Sequence, residues 1–171
     1  MSPQDDSLPS SVSVKPADKV TSADLSKRYP AGSVERRNIE LQQAYFSAGR
    51  RGDWDAVAGF LTPDFALTES PVLPFKGIWR GVQGLKDLRA RINGNLIDTV
   101  RNDIYEILAG GDFVVALMHL YARGEGDSEI QLKISESFHW VDGKLKAATP
   151  YWFDPIALER AVEAKRKRDA R

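Results

Sequence analysis

Four strand-like runs, at about residues 97–109, 112–124, 128–141 and 144–153, follow one another with almost no chain between them. Such short connections join antiparallel neighbours, since parallel strands need a long crossover. Gly110-Gly111 and Asp142-Gly143 are two-residue hairpin signals, because both can supply the positive φ of turns that match the strand twist. Gly126-Asp127 is a weaker signal of the same kind. The second half of the chain therefore reads as an antiparallel meander.

Helices come first. Val34, Leu41, Tyr45 and Ala48 lie on one helical stripe that Gly49 and Gly52 end. Asp53 can cap a second helix carrying Trp54, Val57, Ala58 and Leu61 inward. Thr62-Pro63-Asp64 turns the chain into a short strand, Phe65–Ser70, which Pro71 and Pro74 break. A third helix carries Val82, Leu85, Leu88 and Ile92 inward. Asp154-Pro155 reads as a cap with proline at the first helical position, opening a last helix with Leu158, Ala161 and Val162 inward. Helices followed by a meander indicate an α+β fold, with helices packed on one face of a curved antiparallel sheet.

Residues 1–33 are rich in serine and proline without periodic apolar pattern, and read as a flexible arm with neither signal-peptide nor transit-peptide character. The domain proper is expected at 34–155, followed at 156–171 by the terminal helix and the basic run Lys165-Arg166-Lys167-Arg168, read as a solvated helix end. Twenty-four basic residues balance twenty-four acidic ones, which argues against phosphate-driven nucleic-acid binding. The chain has no cysteine, and two histidines are few for a metal cage, so neither metal nor cofactor is expected. No apolar run approaches the roughly 20 residues that span a bilayer. A cytoplasmic domain without membrane contact is expected, with chemistry drawn from carboxylates, tyrosines and a histidine.

Taking each turn signal as a hairpin centre sets a register. One row is then Ile104, Leu117, Glu136 and Thr149; the next is Asn102, His119, Ile134 and Tyr151; another is Glu106, Val115, Phe138 and Ala147. This face is expected to meet the helices, with His139 outside. Glu136 among apolar neighbours is desolvated, which raises its pKa and lets it donate a hydrogen bond to an oxyanion. Alternatively it pairs with His119 or Thr149 as a purely structural group. Tyr151 either orients these groups or carries its hydroxyl to the rim. Asp154 has a sufficient task as a helix cap. On the other face Val114, Ala116, Met118 and Leu120, near Ala148 and Trp152, form an apolar patch suited to a homodimer.

The stretch Tyr45…Gly52-Asp53…Phe65…Thr68-Glu69-Ser70-Pro71…Gly77…Gly81, with Asp142-Gly143-Lys144-Leu145 and Pro150-Tyr151-Trp152, resembles the nuclear transport factor 2-like superfamily. It is most similar to the SnoaL-like polyketide cyclase and ketosteroid isomerase-like branches, over roughly residues 34–153. The resemblance implies a cone-shaped fold whose helices cover the concave face of the sheet. It implies that Tyr45 and Glu136 hold the oxygen of an enolate, as a tyrosine and a protonated acid do in ketosteroid isomerases. The family base, directly before the proline, falls on Ser70, which cannot take a proton. Glu69 beside it shares its strand parity with Phe65 and Leu67 and is the expected substitute.

These readings give Tyr45, Glu69, His119 and Glu136 as candidate catalytic residues. Asn102, Leu117, Phe138, Thr149, Tyr151 and Trp79 are the candidate substrate contacts. The expected function is a cofactor-independent isomerase, cyclase or dehydratase acting through the enolate of a small apolar carbonyl compound of polyketide, terpenoid or steroid type. A non-catalytic ligand-binding or dimeric assembly module of the same fold is the alternative. Epoxide hydrolysis is a lesser one, since Arg123 lies too near a turn to complete an Asp–Arg–Asp network.

Overall fold

The computed structural model describes residues 27–126 and 128–170. From Val34 onward the meander is preceded by α1 (Val34–Arg51), α2 (Trp54–Phe60), β1 (Leu61–Glu69), β2 (Gly77–Arg80) and α3 (Gly81–Ile92). Then come β3 (Thr99–Gly110), β4 (Phe113–Arg123), β5 (Glu129–Val141), β6 (Lys144–Trp152) and α4 (Pro155–Asp169). The expected arm falls outside the described residues over 1–26, as does Asp127 of the third turn signal. Nearer the domain, the Tyr29 hydroxyl accepts a hydrogen bond from the backbone N–H of Ala109 at 3.0 Å.

Local chemistry sets the helix ends. Ser33 Oγ accepts from the backbone N–H of Arg36, and Gly52 closes α1 in the left-handed conformation at φ 69°. Asp53 Oδ1 accepts from the N–H of Ala56, and Asp154 Oδ1 from that of Ala157, at 3.1 and 3.0 Å. Both aspartates are thus the caps that the sequence predicts.

The sheet has the order β2-β1-β6-β5-β4-β3, and every pair is antiparallel except β1 with β6. The fold is α+β as expected, with a mixed, largely antiparallel sheet. The parallel pair and the strand β2 are not legible in the sequence.

The register departs from expectation in each pairing of the meander, and β3 also shifts against β4 between Thr99 and Arg101 and between Ile104 and Glu106. Gly111 alone supplies the positive φ at the first hairpin (+56°), so its two-residue loop is Gly111-Asp112 and Gly110 pairs with Phe113. On the other side of β4, Arg123 pairs with Glu129 and Ala116 with Glu136. A one-residue slip turns every side chain of a strand to the other face. Val114, Ala116, Met118 and Leu120 are therefore buried under the helices, and the expected outer apolar patch does not exist. This arrangement buries four apolar groups, where the expected one would bury His119 and Tyr121. The Asp142-Gly143 turn holds, with both residues at positive φ and Val141 paired with Lys144. A bulge then intervenes between His139 and Trp140, leaving Glu136 opposite Pro150 rather than Thr149.

The core lies between the concave sheet face and the helices, built on Trp140, Phe65, Phe75, Phe138, Ile39 and Leu158. Within it the Trp140 indole N–H donates to Gln42 Oε1 at 2.9 Å. The basic end of α4 is not simply solvated. Lys165 is buried along its stem and its Nζ meets Asp98 at 3.2 Å and Asp169 at 3.0 Å. Arg168 reaches the same Asp98 at 2.8 Å, pinning the helix across the start of β3.

Candidate active site

A cavity of about 380 Å³ opens between the last turns of α1, the inner side of α3 and the concave face of the sheet. That volume suits a small organic ligand. Its walls are mostly apolar, with Phe46, Leu67, Leu88, Met118, Ile134 and Phe138 among them.

Three acidic groups face into it. Phe65, Leu67 and Glu69 alternate inward along β1, so simple pleating delivers Glu69, only 3% exposed, to the cavity wall. Glu136 projects from β5 between Ile134 and Phe138 on the same inner face. Tyr45 enters from α1, its ring packed edge-on against Phe60 and Phe138 at 6.2 and 6.3 Å between centroids.

Burial raises the Glu136 carboxyl to about 8, and the charge of Glu69 adds to the effect. Burial also lifts Glu69 to about 7, against the lowering effect of a hydrogen bond from the Trp152 indole N–H to its Oε2 at 3.2 Å. Desolvation pushes the Tyr45 phenol well above its ordinary value, helped by the nearby Glu136. The two carboxyls thus hold at least one proton between them near neutral pH. Among the described residues, only Glu69 of the two receives a hydrogen bond, and that bond biases it toward the ionised form. The Tyr45 hydroxyl and the Glu136 carboxyl make no hydrogen bond with any described residue, which leaves both free for a ligand.

The family model for the SnoaL-like domain matches residues 43–148, which carry Tyr45, Glu69 and Glu136. The chain belongs to the SnoaL-like family. Solved structures agree on the fold of this SnoaL-like domain. TerC, co-crystallised with polyporic acid, is 21% identical with a TM-score of 0.65, over 74% of this chain and 98% of its own. An NTF2-like protein from Burkholderia xenovorans LB400 is 20% identical with a TM-score of 0.63, over 77% and 99%. A candidate SnoaL-like polyketide cyclase from Jannaschia sp. CCS1 is 18% identical with a TM-score of 0.62, over 78% and 96%. Among curated proteins no match is found.

The SnoaL-like cavity brings together Tyr45, Glu69, Glu136, Asn102 and Phe138 of the sequence-predicted residues. His119 is not among them. It lies on the outer face of β4, its ring 4.6 Å from that of Tyr105 and its Nδ1 3.1 Å from Gln131 Nε2. Burial and Lys133 lower its pKa, while Asp103 works in the opposite sense. Leu117 shares that outer face through the same slip. Thr149 and Tyr151 turn outward beyond the bulge in β6, Tyr151 being 60% exposed. Trp79 is a structural residue: its indole N–H donates to Phe75 O at 3.1 Å, and its backbone packs against Gly84.

Sequence reasoning missed Trp152, Arg50 and Arg89 in the cavity wall. Trp152 was hidden by the bulge, which changes the parity of β6. The two arginines stand in the last turns of α1 and α3, where the helix dipole alone already accounts for cations.

Proposed function

We propose that this SnoaL-like domain is a cofactor-independent acid–base enzyme that works through the enolate of a small, largely apolar carbonyl compound. The observation that carries the reading is the trio of Tyr45, Glu69 and Glu136 in one apolar cavity, with the Tyr45 hydroxyl and the Glu136 carboxyl unpartnered among the described residues and Glu69 held by the Trp152 indole N–H.

Glu69 as carboxylate removes a proton from the carbon next to the carbonyl, and the electron pair of that C–H bond moves onto the carbonyl oxygen. Tyr45 and protonated Glu136 donate hydrogen bonds to that oxygen as its charge develops. Returning the proton from Glu69 to a different carbon completes an isomerisation. Attack of the enolate on a second carbonyl, with the proton on Glu69 passing to the alkoxide formed, completes a cyclisation; loss of a β-hydroxyl as water, with that same proton, completes a dehydration. TerC, which shares the fold, has been co-crystallised with polyporic acid, and this accords with a small organic ligand here.

The test is deuterium incorporation from heavy water into a panel of cyclic ketones and enones, read by mass spectrometry. Exchange next to the carbonyl that disappears in Glu69→Gln supports the reading. Ligands that bind without any exchange across the panel would sink it in favour of a receptor role.

A further inference from the structure

The acid trio leaves two cavity residues without a task. Arg50 and Arg89 line the same cavity from the last turns of α1 and α3. Their neighbours in sequence are occupied: Arg51 approaches Asp53 Oδ2 at 3.8 Å, and Arg91 Nη2 donates to Pro74 O at 2.8 Å. Arg89 donates one Nη1–H to Gly49 O at 2.6 Å and lies over the Trp54 ring, 5.7 Å from its centroid. That bond holds one edge of the guanidinium of this exposed side chain, and none of its remaining donors is engaged by a described residue. The Arg50 side chain makes no hydrogen bond or ion pair with any described residue. Lys86 adds a third cation at the Trp54 ring, also at 5.7 Å. No described carboxylate forms an ion pair with any of the three.

An unpaired guanidinium at the wall of an apolar cavity matches a planar carboxylate, which it can bind through two parallel N–H···O bonds. The position also selects the kind of anion. Phosphate dianions are favoured at helix N-termini, whereas Arg50 and Arg89 stand at helix C-termini, where the backbone dipole disfavours a double negative charge. A monoanion paired to two cations suits that setting better.

We propose that Arg50 and Arg89 recognise a carboxylate on the substrate. The substrate is then an apolar carbonyl compound that also bears an acid group, held by that group while its carbonyl meets Tyr45 and Glu136. The carbonyl half of this statement rests on the acid–base reading; the carboxylate half does not.

Two probes separate the halves: 2-acetonaphthone, and 6-acetyl-2-naphthoate, which adds a carboxylate to the same skeleton. Calorimetry at neutral pH and low salt is expected to show the carboxylate probe binding about tenfold more tightly. The preference should shrink in high salt and vanish in Arg50→Gln, a substitution at an exposed side chain that removes no hydrogen bond or ion pair to a described residue. Arg89→Gln should weaken it as well. Equal affinity for both probes in the wild type, or a preference that survives Arg50→Gln combined with Arg89→Gln, overturns the proposal. Deuterium exchange at the acetyl methyl of both probes reports the acid–base reading independently. Exchange without a carboxylate preference removes the arginine site alone, and a preference without exchange removes the enolate chemistry alone.

Discussion

The indole N–H of Trp152, the last residue of β6, donates to Oε2 of Glu69, the last residue of β1. The bond crosses from one strand of the parallel pair to the other, and Phe75 packs on the indole at 5.3 Å between ring centroids. It acts on only one of two carboxyls that desolvation raises. A hydrogen bond to a carboxylate favours the charged form, so Trp152 makes Glu69 the more acidic of the two. Trp152→Phe removes that bias, and the Glu69 pKa, already raised to about 7, is expected to rise further. The acid limb of the rate–pH profile should move upward, while substrate affinity in the plateau stays close to wild type. An unmoved acid limb would mean that the bond does not tune the base.

The proposed chemistry needs Glu69 ionised and Glu136 protonated, so the profile for deuterium exchange should be a narrow bell between the values of about 7 and about 8. Glu69→Gln should abolish exchange. Glu136→Gln and Tyr45→Phe should each lower it roughly a hundredfold or more, as loss of one oxyanion donor does elsewhere. A Glu136→Gln variant as fast as the wild type would remove this carboxyl from the chemistry.

The same two groups set the dependence of stability on pH. Both pKa values are raised on folding, so the folded state holds more protons than the unfolded chain above about pH 4.5. Stability is therefore fully present below the unfolded value and is lost as pH rises through about 7 and 8. The melting temperature should fall across that window, and Glu136→Gln should flatten the fall. Thermal unfolding followed by circular dichroism between pH 5 and pH 9 checks the sign.

His119 tests the observed register against the expected one. Its ring lies on the outer face with Tyr105 and Gln131, so His119→Ala should leave exchange within about twofold of wild type, as for a surface substitution far from the site. A loss comparable to that of Glu69→Gln would contradict the placement of β4.

Gly84 sits in α3 with no room for a side chain. A Cβ there would lie 2.7 Å from the backbone carbonyl carbon of Trp79. Gly84→Ala should destabilise the domain by about 1–3 kcal/mol despite alanine's better helix propensity. Chemical denaturation measures it; a stabilised variant would show that the β2–α3 corner gives way freely.

Asp98 holds both Lys165 and Arg168, and so holds α4 against the start of β3. Asp98→Asn should speed amide exchange through Pro155–Asp169 while sparing β5. High salt should reproduce part of the effect in the wild type, since these charges are partly exposed. Unchanged exchange in α4 would mean that its apolar contacts suffice.

Much of this fold was legible because its signals are local. Asp53 and Asp154 are caps wherever the chain folds, since each needs only the N–H groups of the next turn. The positions of Glu69 and Glu136 follow the same logic: each shares its parity with apolar neighbours on its own strand, so whichever way the strand turns, the carboxyl goes inward with them. The Asp142-Gly143 turn fixes its own geometry through two positive φ angles.

What the sequence could not supply is how strands lie against one another. The turn between β4 and β5 has only a weak local signal, and the pairing of Arg123 with Glu129 moves His119 and Leu117 out and Met118 and Leu120 in. The bulge in β6 likewise trades Thr149 and Tyr151 for Pro150 and Trp152 in the cavity. Neither choice has a strong local preference. Each is decided by which face buries more apolar surface and fewer polar groups against helices that are distant in the chain. The sequence by itself determined the helices and every strand but β2, the aspartate caps, and the inward parity of the two carboxyls. The tertiary structure alone decided their neighbours, because register is a property of the packed sheet and not of any one strand.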